Sequence, residues 1–402
     1  MDNNSIHTTV PQLRFTDFAN EREWEETKVG DVINTLTPPK KLNSSEYEKT
    51  GKYPIIDQSQ NFICGYSDDE DALMNHNNED LIVFGDHTCV LKFVNFPFIQ
   101  GADGIKIIKS KDSNNLIESF LFQSLLNNPV VSREYKRHFS ELKEKEFCFP
   151  HSIVEQQKIA SCLFSMDAYI SSTKKKLELL KIYKKGMMQK LFPAKGKQRP
   201  ELRFSEFEKD GEWEEKILEE VTKVVNRRNK SNRNLPIYSI SNKDGFILQS
   251  EQFEGLDSVS RGYDTSLYKI VTSNTFAYNP ARINVGSIGY SGNIKECLIS
   301  SLYVCFKTTK SVDDSFLMYF FGTSSFNQSV ENNVEGGIRS YLFYENFSKI
   351  KIMLPSILEQ KKIASCLKAV DEEINAISDN ASELEKQKKG LMQKLFPITK
   401  NN

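Results

Sequence analysis

The stretch Ile153 to Pro193 returns 204 residues later as Ile357 to Pro397, and this repeat constrains the chain more than anything else in it. Glu155-Gln156 recurs as Glu359-Gln360, Ile159 to Leu163 recurs unchanged as Ile363 to Leu367, and Gly186 to Pro193 recurs as Gly390 to Pro397. In both copies the apolar positions step by four and three, from Ile159 through Leu163, Ile170 and Leu177 to Leu191, and from Ile363 through Leu367, Ile374 and Leu384 to Leu395. A seam held over more than four heptads predicts a coiled coil rather than a globular-core helix. Each copy would make a rod of roughly 55 to 60 Å at 1.5 Å per residue.

A second phrase repeats at a different offset. Pro11-Gln12-Leu13-Arg14-Phe15 with Phe18 and Trp24-Glu25-Glu26 returns 189 residues later as Pro200-Glu201-Leu202-Arg203-Phe204 with Phe207 and Trp213-Glu214-Glu215. A third, Ser119-Phe120-Leu121-Phe122, answers Ser315-Phe316-Leu317-Met318 at 196 and predicts a helix in each unit. The chain therefore reads as a tandem pseudo-dimer. A first globular domain spans 11–150 and a first coiled-coil arm 151–193. A polar linker follows at 194–199, then a second domain at 200–355 and a second arm at 356–397, after a disordered lead of about ten residues. Leu81 to Phe84, Ile105 to Ile108 and Ser300 to Phe306 read as strands.

Between the repeated phrases, residues 30–115 and 220–310 hardly match. A duplicated frame holding two divergent inserts is expected when the frame builds a symmetric scaffold and each insert recognises something different. Neutral drift after an old duplication is the alternative.

At 402 residues the chain has room for two to three domains with real cores. No apolar run approaches bilayer length, and the start lacks a secretory pattern, so the expected compartment is the cytoplasm, with no membrane contact. Seven cysteines without a Cys-x-x-Cys pair and five scattered histidines fit a reducing compartment and predict no metal site. The formal net charge of −1 speaks against indiscriminate coating of nucleic acid. Lys174 to Arg199, however, holds ten basic residues against one acidic residue, Glu178: a solvated outer face, or a surface for a partner subunit or DNA.

Catalytic apparatus is missing. Gly51-Lys52 and Gly196-Lys197 are not nucleotide loops, and Gly286-Ser287-Ile288-Gly289 reads as a turn between strands. The histidines lack a spaced nucleophile. Tyr278-Asn279-Pro280-Ala281-Arg282 lacks the second proline and the aromatic of an amino-methyltransferase signature and reads as a loop. Gly85-Asp86-His87-Thr88 follows a strand; its Asp-His neighbours offer an acid–base pair or, more simply, turn hydrogen bonds.

A divergent domain ending in Pro-x-x-x-x-Glu-Gln, followed by a long helix, all of it twice, resembles the specificity subunit of type I restriction-modification enzymes. Pro150 with Glu155-Gln156 and Pro355 with Glu359-Gln360 carry the resemblance; Tyr278 to Ile283 and Gly85 to Thr88 look like phrases of that family's target recognition domains. The resemblance implies an α+β fold of mixed α/β type. Two target recognition domains in pseudo-twofold tandem would be separated by two long antiparallel coiled-coil helices. It implies a non-catalytic reader of double-stranded DNA, one half-site per domain. Two methylating subunits would supply adenine methylation, and motor-nuclease subunits would join through them. S-adenosylmethionine, ATP and Mg would sit on those partners, and no cofactor on this chain.

Half-sites one helical turn apart lie roughly 34 Å from each other, within reach of such a rod. Lys and Arg on phosphate would position the chain, and polar side chains on base edges would specify. The candidates are polar residues beside turns and glycines. In the first insert they are Lys52, Tyr53, Gln58, Gln60, His87, Thr88 and Lys92; in the second, Ser239, Asn242, Lys243, Asn279, Arg282, Asn284, Arg339 and Tyr341. Three alternatives stay open: a coiled-coil scaffold whose inserts bind proteins, a reader for a methylation-only or other multisubunit restriction system, or a chain that is itself a methyltransferase or nuclease. The missing loops oppose the last.

Overall fold

The computed structural model describes residues 9–74, 79–132, 136–333 and 341–397, so most of the expected lead lies outside the described residues. The heptad stretches form uninterrupted helices, Ile153–Leu191 and Ile357–Leu395, of 39 residues each, or about 58 Å at 1.5 Å per residue. No seam position from Ile159 to Leu191 or from Ile363 to Leu395 is exposed.

Two compact units divide the chain: Met1–Lys174 with Asp379–Asn402, and Lys175–Ser378. In the first, Lys388 meets Asp167 at 2.5 Å and Lys174 meets Glu385, so the two helices run in opposite directions. In the second, Lys184 meets Asp371 at 2.5 Å and Lys176 meets Glu373 at 3.1 Å, again antiparallel. Lys184 and Lys388 are repeat-equivalent, and so are Asp167 and Asp371. The one charged position of each seam is thus neutralised in the same way in both units.

In the first unit the strands are β1 (Glu25–Lys28), β2 (Ile33–Leu36), β3 (Lys41–Leu42), β4 (Tyr53–Ile56), β5 (Gly65–Ser67), β6 (Leu73–Met74), β7 (Leu81–Gly85), β8 (Leu91–Val94), β9 (Phe98–Gly101), β10 (Ile105–Ser110) and β11 (Glu146–Phe149). β1 pairs with β11. A four-stranded sheet runs β2-β10-β7-β8, and a second runs β3-β9-β4-β5, with β6 also on β9. Every residue of β7 is buried, as its unbroken apolar run requires. The helix Glu118–Asn127 closes this core, with Phe120 and Leu121 fully buried.

The second unit holds β12 (Glu214–Ile217), β13 (Thr222–Val224), β14 (Ile237–Ser241), β15 (Gly245–Leu248), β16 (Lys269–Thr272), β17 (Phe276–Tyr278), β18 (Ile288–Tyr290), β19 (Glu296–Ile299), β20 (Val304–Thr308) and β21 (Lys351–Leu354). Here β12 pairs with β21, one sheet runs β13-β20-β17-β18, and another runs β15-β14-β19-β16. The strand expected over Ser300 to Phe306 begins only at Val304; Ser300–Tyr303 turn first, with Tyr303 N–H donating to the Ser300 carbonyl. Tyr278 ends β17 and is buried, so its motif is strand before it is loop. The helix Asp314–Phe321 starts at Asp313, whose carboxylate accepts from Phe316 N–H at 3.0 Å.

The repeated phrases prove to be one frame built twice. Arg14 grips Glu155 bidentately, Nε and Nη2 each at 2.8 Å, with side chains 9% and 1% exposed. Arg203 grips Glu359 at 2.9 and 2.8 Å, at 6% and 1%. Gln156 accepts from Ile117 N–H and donates to the carbonyls of Asn115 and Pro150. Gln360 accepts from Asp313 N–H and donates to the carbonyls of Ser311 and Pro355. Glu-Gln is therefore the joint between the long helix and the helix of the domain it follows. Trp24 packs edge-on against Phe120 and Phe396, and Trp213 against Phe316 and Phe192. Leu13 N–H donates to the Lys394 carbonyl and Leu202 N–H to that of Lys190, both at 2.8 Å.

Candidate nucleic-acid interface

The inserts that do not align in sequence align in strand layout. In the first unit β4 runs parallel to β9 and antiparallel to β5; in the second β14 runs parallel to β19 and antiparallel to β15. The hairpin β7–β8 corresponds to β17–β18, since each lies beyond the strand that pairs with β2 or β13. Two loops therefore hold the same topological place in both units. One follows β4 or β14 (residues 57–64 and 242–244), and the other joins the hairpin strands (residues 86–90 and 279–287).

In the first unit these loops interlock. Thr88 Oγ1 donates to the Gln58 carbonyl at 2.6 Å, His87 N–H to Gln58 Oε1 at 3.4 Å, and Gln58 Nε2 to the Asp103 carbonyl at 3.4 Å. Gly104 has φ +90°, and a Cβ on it would come within 2.8 Å of Gln58 Nε2. Cys89 (φ 58°) and Ala102 (φ 36°) are non-glycine residues in the left-handed region. Such strain concentrates at functional sites and costs of order 1–3 kcal/mol each. Asp86 and His87 form no acid–base pair: the Asp86 carboxylate accepts from Phe139 N–H at 2.8 Å, while His87 Nδ1 lies 3.1 Å from the Lys136 carbonyl.

The loop after β4 is braced from inside. Lys92, 4% exposed, donates to the carbonyls of Asp57 at 2.7 Å and Asn61 at 2.5 Å. Burial pushes its ammonium pKa down. Cys64 Sγ donates to Asp57 Oδ1 at 2.8 Å, and burial pushes that thiol up. Burial opposes the charge on Asp57, yet hydrogen bonds from Cys64 and Ser59 hold its carboxyl below the usual range.

In the second unit the strand that leaves the turn, β15, and the hairpin strand β18 meet backbone to backbone. A Cβ on Gly289 would lie 2.9 Å from Gly245 Cα. Ser287 Oγ donates to the Ile240 carbonyl at 3.1 Å. Asn279 Oδ1 accepts from Ala281 N–H at 3.0 Å, shaping the loop that carries the exposed Arg282 and Asn284, and a Cβ on Gly286 of that loop would lie 3.7 Å from the carbonyl of Asn242 in the exposed Asn242–Lys243 turn.

The structure thus gathers Gln58, Gln60, His87 and Thr88 on one pair of loops, and Asn242, Lys243, Asn279, Arg282 and Asn284 on the other. Tyr341 stacks on Phe343 at 5.6 Å, and Leu342 N–H between them donates to the Pro280 carbonyl, which joins this segment to the hairpin loop. Four expectations change. Lys92 and Ser239 are buried and cannot reach a groove. Lys52 and Tyr53 sit at the far end of β4, engaged with Glu70 at 2.6 and 3.3 Å. Arg339 lies outside the described residues. Sequence reasoning missed Asp57, Asn61 and Cys64. The signal for Lys92 was present in the alternation of β8, which puts it on the same buried face as Val94.

Among the described residues, no helix is long and apolar enough to cross a membrane, and no three His, Cys, Asp or Glu side chains converge as a metal site would need. The family described as type I restriction modification DNA specificity domain matches residues 21–181 and 210–386. Over 312 residues, 73% of this chain and 71% of the relative, the chain is 28% identical to the proposed MjaX type I restriction enzyme specificity subunit of Methanocaldococcus jannaschii. It is 24% identical over 409 residues to the MjaVIII specificity subunit of the same organism, covering 93% and 92%. The crystal structure of a type I restriction-modification S subunit from M. genitalium shares the fold, with a TM-score of 0.62 at 14% identity over 97% of this chain and 100% of that one. Two frames built alike, two recognition inserts, and a family match over both make this chain a member of the type I restriction-modification DNA specificity family, a DNA sequence-specificity subunit without a catalytic site of its own.

Proposed function

We propose that each unit reads one half of a split DNA target, across a gap of unspecified bases. Two methylating subunits, bound one per frame, would then methylate adenine with their own S-adenosylmethionine. Motor-nuclease subunits would join through them, bringing ATP and Mg, and the complex would work in the cytoplasm. The observation that carries this reading is the placement of the most dissimilar polar loops at the same strand ends of two repeated folds. One reader per half-site needs that arrangement; a protein-binding scaffold does not. Gln58, Gln60, His87 and Thr88 then face the first half-site, and Asn242, Lys243, Asn279, Arg282, Asn284 and Tyr341 the second. Exposed Lys243 and Arg282 also suit phosphate.

Methylome sequencing of cells that carry the chain with its methylating partner tests this. Adenine methylation at a bipartite, asymmetric motif is expected, and exchange of residues 30–150 should alter one half only. Unchanged methylation, or a continuous palindrome, would sink the proposal. Gel retardation by the assembled complex should weaken steeply with salt; no retardation at low salt favours the scaffold.

A further inference from the structure

The strand registers place Lys92 and Gly289 at one position. Ile33 and Thr222 are repeat-equivalent, and they pair with Ser110 and Thr308. Three residues back along those partner strands lie Ile107 and Cys305, which pair with Val83 and Ala277. Val83 in turn faces Lys92, and Ala277 faces Gly289. The same site on the outer hairpin strand thus carries a long flexible side chain in one unit and none in the other; Lys92 touches the loop that follows β4, and Gly289 touches the start of β15, into which the turn after β14 leads. In the first unit the ammonium spans a gap to two loop carbonyls, Asp57 and Asn61. In the second, the absence of a side chain lets Gly245 and Phe246 N–H close to 2.9 and 3.1 Å of where a Cβ would stand.

We propose that this position sets the height and orientation of the reading loop over its hairpin, with Lys92 a positioning residue for the first half-site and Gly289 for the second. The proposal rests on the half-site reading above. An apolar side chain at 92 would have no ammonium to desolvate but would leave the Asp57 and Asn61 carbonyls without their donor, so the loop would lose what fixes its position. The contribution of Lys92 is therefore geometric. The loop it props is long, eight residues from 57 to 64, and carries Gln58 and Gln60. The turn that Gly289 admits is three residues, 242 to 244, and carries Asn242 and Lys243.

The test uses the full chain co-expressed with its methylating partner, with the half-sites assigned by exchange of residues 30–150. Lys92→Met should raise methylation at sites mismatched in the first half about tenfold and leave discrimination in the second half unchanged. Gly289→Ala should do the reverse. Amide hydrogen exchange on the complex should show faster exchange in residues 57–64 for Lys92→Met. A Lys92→Met variant with the wild-type methylation pattern overturns the inference, and so does loosening of both halves alike, the mark of general destabilisation. If Gly289→Ala abolishes methylation by misfolding, Lys92→Met and Lys92→Leu decide. A wild-type motif that is not bipartite removes the half-site reading itself, and this inference with it.

Discussion

Frame and insert obey opposite rules in this molecule. The frame repeats contact for contact: Arg14–Glu155 and Arg203–Glu359 agree in geometry to within 0.1 Å, and Gln156 and Gln360 each satisfy the same three kinds of backbone group. The inserts repeat only in strand order, and the loops on them share neither length nor composition. A bidentate buried pair tolerates no change in one partner, because the other would be left charged and dry. A loop at a strand end needs only strands to hang from. Divergence is therefore permitted where solvent or DNA can satisfy the side chains, and forbidden where only one protein partner can.

The strongest way to break this comparison is to truncate the frame arginines. Arg14→Ala and Arg203→Ala should each cost about 3–5 kcal/mol, by the same amount in both units, measured by urea denaturation of the full chain; unequal losses would show that the frames are not energetically alike. Gln156→Leu and Gln360→Leu strand buried backbone groups and should each cost about 1–3 kcal/mol, again as a matched pair in thermal melts.

Alkaline pH sharpens the contrast between units instead. Burial pushes the thiols of Cys148, Cys297 and Cys305 up to about 12. A folded pKa above the unfolded one gives stability that is complete below about pH 8.5 and lost as pH rises toward 12, at most about 1.4 kcal/mol per pH unit and thiol. The second unit holds Cys297 and Cys305, and the first holds Cys148 together with Cys64 and Cys89, which burial also pushes up, so both units should lose stability between pH 8 and 10, through different thiols, read from urea midpoints. Cys297→Ala with Cys305→Ala should flatten this loss in the second unit alone. The smallest effect belongs to the seam pairs. Lys388→Met and Lys184→Met should each cost about 0.2–1 kcal/mol. Lys184 should cost more, because its ammonium also lies 5.3 Å from the Tyr319 ring, whose hydroxyl donates to Asp371 at 2.8 Å. Double-mutant cycles would measure the difference.

The long helices, the tandem frame and the recognition role were legible because they rest on periodicity and repetition, which survive in one dimension. Correspondence between the inserts was not, since it lies in hydrogen-bonded registers such as Val83 with Lys92 and Ala277 with Gly289. Polarity beside a turn predicts a groove contact for Lys92, yet the strand buries it, and backbone carbonyls of a loop distant in sequence take its charge. Lys52 reads likewise, and Glu70, eighteen residues on, holds it. The same criterion, polarity beside a turn or glycine, selects Gln58, His87 and Thr88, and folding brings these three together through hydrogen bonds from Thr88 and His87 to Gln58.

The packing of Phe396 on Trp24 has a consequence for synthesis. The second unit is one continuous stretch, but the first needs Asp379 onward to be complete. A ribosome adding about 5–20 residues per second takes about 10–40 s to make the 204 residues from Lys175 to Ser378. During that time Trp24 and Phe120 wait without Phe396 to cover them. The half made first is thus finished last, and the nascent chain is most open to chaperones or misassembly at its N-terminal domain.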